Sequence, residues 1–194
     1  AEGVEGVVPA AAVDRGVTYA DELTTAADGD TFEVGDATIE TIATPGHTTG
    51  MTSYLVDGSL LLTGDGLFIE SVARPDLEAG QETTSAARRL HASLDDLLAL
   101  PDETLVCPGH RGETTDPAPD GTYTARLGEL RDREVLSLSR EAFIETLHED
   151  VPPRPANHEA IVATNLGQRH PDDEDAFELE LGPNNCAAAP SDAD

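Results

Sequence analysis

The stretch IATPGHTTG, residues 42–50, sets Pro-Gly-His directly behind an apolar run, and TLVCPGH, residues 104–110, repeats the arrangement. Between them LLLTGDG, residues 60–66, ends a third apolar run in Gly-Asp. Each run reads as a strand, and each is followed by a metal-competent side chain with glycine directly before it: His47 after Gly46, Asp65 after Gly64, His110 after Gly109. Glycine lets the backbone turn sharply and leaves room for close approach. Pro45 and Pro108 fix one dihedral of the turn and stop the strand. If the three strands present the same edge, two imidazoles and a carboxylate meet there, on loops held by a rigid sheet. Such a set suits zinc or iron, and the carboxylate can bridge two ions. Taken singly, each has a plainer reading: a surface histidine in a turn, or an aspartate that caps a helix. The repeated context points to a shared metal site at His47, Asp65 and His110. His91 reads as a packing or surface residue of the long helix, His148 and His158 lie on helices without a second ligand at i+3 or i+4, His170 is in the acidic tail, and none is assigned to metal.

Outward from this core, the pattern alternates strands and helices. VEGVVPA reads as a strand that ends at Pro9. Residues 30–44 read as a hairpin around Gly35-Asp36, and residues 51–63 as a second around Asp57-Gly58. TTSAARRLHASLDDLLALP is an amphipathic helix with Leu90, Leu94, Leu97 and Leu98 on one face, Ser85 as the expected cap and Pro101 as its end. GETTDPAPDGTYT is a long polar loop. LSREAFIETLHED is a helix capped by Ser139, and PANHEAIVATNLG is a last helix that stops at Gly167. The expected organisation is a mixed α/β domain over residues 1–167, with helices covering a sheet, and an acidic, irregular tail over 168–194.

Composition narrows the function classes. The 194 residues suffice for one domain with a sizeable core. The formal charge is −28, and all eleven basic residues are arginine. Nucleic acid and anionic membrane surfaces are therefore poor partners. A heavily carboxylated surface without lysine, around a chain that is 38% apolar, suggests a halophilic setting where salt screens self-repulsion. Cys107 and Cys186 read as free thiols in a reducing compartment, which implies a cytoplasmic protein. No apolar run is long enough to span a membrane. The chain opens AEGVEGVVPA without methionine, so targeting is left open.

The segments TPGHTTGMTSYLVDGSLLLTGDGLFIESVARPDL and LHASLDDLLALPDETLVCPGH resemble the metallo-β-lactamase superfamily, nearest the persulfide dioxygenases and their glyoxalase II-like relatives. The resemblance covers about residues 25–167 and implies an αβ/βα sandwich with metal at one sheet edge, its N-terminal portion missing here. ARPDL carries the Arg-x-Asp typical of the dioxygenase branch, as Arg74 and Asp76. It implies either a substrate-binding arginine or a salt bridge that fixes the loop. The family's His-x-His-x-Asp-His motif is absent, and the resemblance would place it before Ala1. Many relatives follow the last histidine with Asp-Tyr, whereas Arg111-Gly112 follows His110. The implied activity is oxidation of a low-molecular-weight thiol persulfide to sulfite by dioxygen at an Fe(II) site, with Asp65 catalytic. One alternative is a glyoxalase II-like thioester hydrolase with Zn(II) and a two-metal site. Another is a chain that is inactive alone for want of the upstream motif, whose uncovered apolar faces favour association as a homodimer.

Overall fold

The computed structural model of the protein describes residues 6–78, 80–112, 115–149, 154 and 157–180. Cys186 and the end of the acidic tail lie outside them. Two short strands open the chain, β1 (Val7–Pro9) and β2 (Thr24–Ala26), with the single helical turn α1 (Ala10–Val13) between them. There follow β3 (Thr31–Val34), β4 (Ala37–Ala43), β5 (Thr52–Val56), β6 (Leu60–Gly64), α2 (Thr83–Leu98), β7 (Leu105–Pro108) and β8 (Ala125–Arg126). Five helices complete the described chain: α3 (Leu127–Leu130), α4 (Glu134–Ser137), α5 (Arg140–Glu149), α6 (His158–Asn165) and α7 (Asp173–Glu180).

β1 and β2 pair in parallel as a small separate sheet. The main sheet has six strands in sequence order, β3 to β8. Both expected hairpins are present. The second turns on Asp57 and Gly58, both with positive φ, the mirror-image turn whose twist matches the flanking strands. β6 and β7 pair in parallel, and the long helix α2 makes the crossover between them. β4 runs antiparallel to β5, and β5 to β6, so β4, β6 and β7 all point the same way. Their carboxyl ends share one edge. The strands that end at His47 and Asp65 are not adjacent, because β5 lies between them.

One sheet face, with Leu55, Leu61 and Val106, packs on α2 through Ala87, Leu90, Leu94 and Leu97. Phe143 and Leu147 of α5, Leu127 and Leu130 of α3, and Val135 of α4 close this core. The leucine stripe of α2 is thus the buried one, and Leu98 packs at its margin. His91 belongs to the same helix packing: its ring meets Phe143 edge-on at 5.2 Å. The opposite sheet face carries Tyr54, Leu62 and Cys107 in register, with Leu62 39% exposed.

Two local expectations are corrected and a third holds. Ser85 lies inside the first turn of α2, whose N-cap is Glu82; its hydroxyl donates to the Glu82 carboxylate (2.6 Å) and caps no backbone amide. The helix that stops at Gly167 is not the last, because α7 follows within the stretch read as irregular. Ser139 does cap α5, accepting from the Ala142 amide (3.3 Å). No helix among the described residues is long and apolar enough to cross a membrane.

Candidate metal centre

Each ligand-type side chain leaves the sheet by a different device. After β4, the loop to His47 is pinned to α2, where Ser93 Oγ donates to the Pro45 carbonyl (2.8 Å). Gly46 lies so close to that helix that a Cβ would sit 2.5 Å from Leu90 Cβ and 2.6 Å from Leu90 Cα. Gly46→Ala is therefore expected to cost about 1–3 kcal/mol, read as a lower urea midpoint. After β6, a register shift between Leu62 and Gly64 bulges the strand and redirects Asp65 off the ladder. After β7, the Gly109 amide donates to the Gly64 carbonyl (2.7 Å). A Cβ at Gly109 would lie 3.2 Å from Asp65 Oδ1, so glycine here keeps His110 close to Asp65.

The structure brings all three residues together, with Asp65 in the middle. His110 Nδ1 forms a short hydrogen bond with Asp65 Oδ1. His47 Nε2 faces Asp65 Oδ2 at 3.8 Å. His47 is largely buried and its side chain 10% exposed, whereas that of His110 is 43% exposed. The His47 Nδ1 atom lies 3.0 Å from the Arg74 carbonyl oxygen. A carbonyl only accepts, so Nδ1 carries the hydrogen, and in the neutral ring Nε2 presents its lone pair toward Asp65. A lone pair facing a carboxylate across 3.8 Å is unfavourable unless a cation or proton lies near both. This backbone-tethered imidazole is the orientation found for metal-ligating histidines. The donor chemistry fits a cation, although among the described residues no three His, Cys, Asp or Glu side chains form a ready ligand cluster.

Arg74 points inward. It is 1% exposed, and its guanidinium grips Asp76 with two bonds, Nε to Oδ1 (2.8 Å) and Nη2 to Oδ2 (3.1 Å). Arg154 reaches the same carboxylate from the far end of the chain (3.0 Å). Burial, the largest single influence, would push the Asp76 carboxyl up; the hydrogen bonds and charges of Arg74 and Arg154 together outweigh it and hold it below the ordinary range. The arrangement braces the loop whose carbonyl orients His47. Nothing in the local sequence marked Arg154, because its partner is distant along the chain.

The His47 loop has a second clasp. Glu78 accepts from the Thr49 amide (2.6 Å) and from Arg15 (2.8 Å), which ties the loop to the segment after α1. Beyond His110, Thr115 donates to Glu70 (2.8 Å), so the loop after β7 lies against the loop after Asp65. Arg111 stacks on the Tyr123 ring, its guanidinium carbon 4.4 Å from the centroid. Cys107, just before this loop, is a free thiol that burial pushes above its ordinary value, so it remains a protonated, unreactive group near neutrality.

The metallo-β-lactamase superfamily model matches residues 4–110. The crystal structure of ETHE1 from Myxococcus xanthus superposes with a TM-score of 0.68 at 32% identity, over 84% of this chain and 66% of that one. The persulfide dioxygenase ETHE1 of Bos taurus is 29% identical over 141 residues, 72% of this chain and 51% of that protein. The hydroxyacylglutathione hydrolase of Rhizobium etli is 44% identical over 87 residues, 44% of this chain and 31% of that protein. Against the first curated relatives it matches, the chain spans only about 40% of their length. With strand ends, sheet order and a family match over more than half its residues in agreement, the chain belongs to the metallo-β-lactamase superfamily.

Proposed function

We propose that the protein oxidises a low-molecular-weight thiol persulfide to sulfite with dioxygen, at an iron(II) ion held by His47 and Asp65 with His110 beside them. The observation that carries this reading is the breadth of the likeness to ETHE1 from Myxococcus xanthus, which extends over 84% of the chain. The buried Arg74–Asp76 pair, set against His47, supports it. When bound, iron supplies open coordination positions for a sulfur anion and for dioxygen. The chain's own residues set the geometry around that chemistry. Asp65 contributes the negative charge at the centre, and it orients His110 through their hydrogen bond. The Arg74 carbonyl keeps the His47 hydrogen on Nδ1 and aims Nε2 at the site. Arg74 itself, committed to Asp76, holds that carbonyl in place.

A second reading is a two-metal thioester hydrolase with zinc or iron. It is favoured by the 44% identity with the hydroxyacylglutathione hydrolase, and by the position of Asp65 between two imidazoles, which suits a shared carboxylate. One experiment separates the two. Metal analysis and oxygen uptake on the full-length protein with a thiol persulfide should show iron, with dioxygen consumed as sulfite appears. Hydrolysis of an acyl thioester without oxygen uptake, and no reaction with persulfide, would reverse the order.

A further inference from the structure

We propose that the carboxyl end of α6 is a positioning element of the candidate centre, acting on the His47 loop through the segment after α1 and the Arg15–Glu78 pair. The proposal rests on the reading of His47 as a metal ligand, and it adds what holds the loop that carries it.

The last turn of α6 shows where the coupling begins. At Gly167, where φ is +73°, the chain turns back: the Gly167 amide donates to the Thr164 carbonyl and the Gln168 amide to that of Ala163, both at 2.9 Å. The Asn165 and Leu166 carbonyls remain, as acceptors at the open end of the helix. The segment after α1 fills both. Tyr19 Oη donates to the Asn165 carbonyl (2.7 Å) and the Thr18 amide to the Leu166 carbonyl (3.0 Å). Thr18 Oγ1 donates to the Gly167 carbonyl (2.9 Å), and Gln168 Nε2 donates in return to the Gly16 carbonyl (2.9 Å). A Cβ on Gly167 would lie 2.4 Å from Thr18 Oγ1, so so close a contact needs glycine there.

The segment depends on these bonds, because no residue from Ala10 to Glu22 is buried. It has no core of its own and keeps its place by polar ties. Its other ties lead to the centre. Arg15 Nε donates to Glu78 (2.8 Å), with the two side chains 16% and 14% exposed. Glu78 accepts from the Thr49 amide (2.6 Å) and from Thr49 Oγ1 (2.8 Å), just past His47. Beside this link, a Cβ on Gly50 would lie 2.9 Å from Ala12 Cα, so the turn of α1 backs onto the same loop. If Thr18 and Tyr19 let go of α6, the backbone that carries Arg15 loosens, and Glu78 loses the partner that fixes it. The stretch before α6 reaches the other support of His47 as well, where Arg154 binds Asp76 (3.0 Å).

The test is hydrogen exchange by mass spectrometry on the metal-free, full-length protein, paired with zinc(II) titration of the same variants. Thr18→Val/Tyr19→Phe removes both hydroxyl ties and nearly keeps the side-chain shapes. Exchange across residues 46–51 should then quicken about fivefold or more, with that of α2 unchanged. A general loss of stability would quicken both alike. Glu78→Ala should quicken the loop in the same way and weaken zinc binding about tenfold. Glu78→Gln, which keeps an acceptor for the Thr49 amide, should restore most of that affinity. Unchanged exchange of residues 46–51 in Thr18→Val/Tyr19→Phe, or equal quickening of loop and α2, would overturn the proposal. A wild type that bound no zinc would instead defeat the reading of His47 as a ligand, and the exchange result, which needs no metal, would still decide the coupling.

Discussion

Asp65→Asn is expected to bind metal more than about 100-fold more weakly than the wild type while its urea midpoint stays nearly unchanged. Outer hydrogen-bond partners of metal ligands alone account for about 10–100-fold, and Asp65 stands at the centre of the site itself. Asparagine keeps the shape and an acceptor for His110, so the fold has little reason to respond. What is lost is the negative charge between two imidazoles that already face it. Titration with iron(II) or zinc(II), alongside urea unfolding of the same samples, separates the two effects. Wild-type metal affinity in Asp65→Asn would remove Asp65 from the ligand set.

The second large effect lies away from the candidate metal ligands. Asp76→Ala is expected to destabilise the protein by about 3–5 kcal/mol, because it removes the carboxylate that grips a guanidinium 1% exposed. The urea midpoint should fall while the slope stays constant. The same variant frees the Arg74 backbone to move, so metal affinity should also fall, by about 10–100-fold, through the loosened His47 ring. The pair has a pH signature. The Asp76 carboxyl is held below its ordinary value of 3.8 in the folded chain. Its contribution is therefore fully present above that value and is lost as pH falls through the lower, folded-state value. The stability gap between wild type and Asp76→Asn should be flat near neutrality and close only in acid. A gap that narrowed at pH 6 would mean that another group governs it.

These residues differ in how far the sequence disclosed them. The strand ends were legible because their signals are local: an apolar run, then proline or glycine, then the ligand-type side chain. The same holds for the Asp57-Gly58 turn and for the leucine stripe of α2, where short-range geometry dictates the pattern. The position of β5 between β4 and β6 was not legible, because strand order depends on pairing between distant segments. β2, β8, α3 and α4 span two to four residues, too few to show a period. Ser85 was misread because a serine near a helix start also fits the first turn, and only the backbone shows that Glu82 occupies the cap. At the site, sequence singled out His47, Asp65, His110 and the Arg74–Asp76 pair. It did not show that the Arg74 carbonyl takes the His47 hydrogen, that Arg154 joins Asp76, or that Tyr123 crosses to Arg111. Each of these joins residues set well apart along the chain, and no periodicity connects residues that meet only after folding.

The central claim is that His47, Asp65 and His110 meet to hold a cation. An anomalous-difference map from crystals of the full-length protein grown with iron(II) or zinc(II) tests it most directly. The expected result is a peak about 2.0–2.2 Å from His47 Nε2 and from an Asp65 carboxylate oxygen, with His110 facing the same centre. Metal bound elsewhere, with His47 and Asp65 still facing each other and touching no ion, would contradict it.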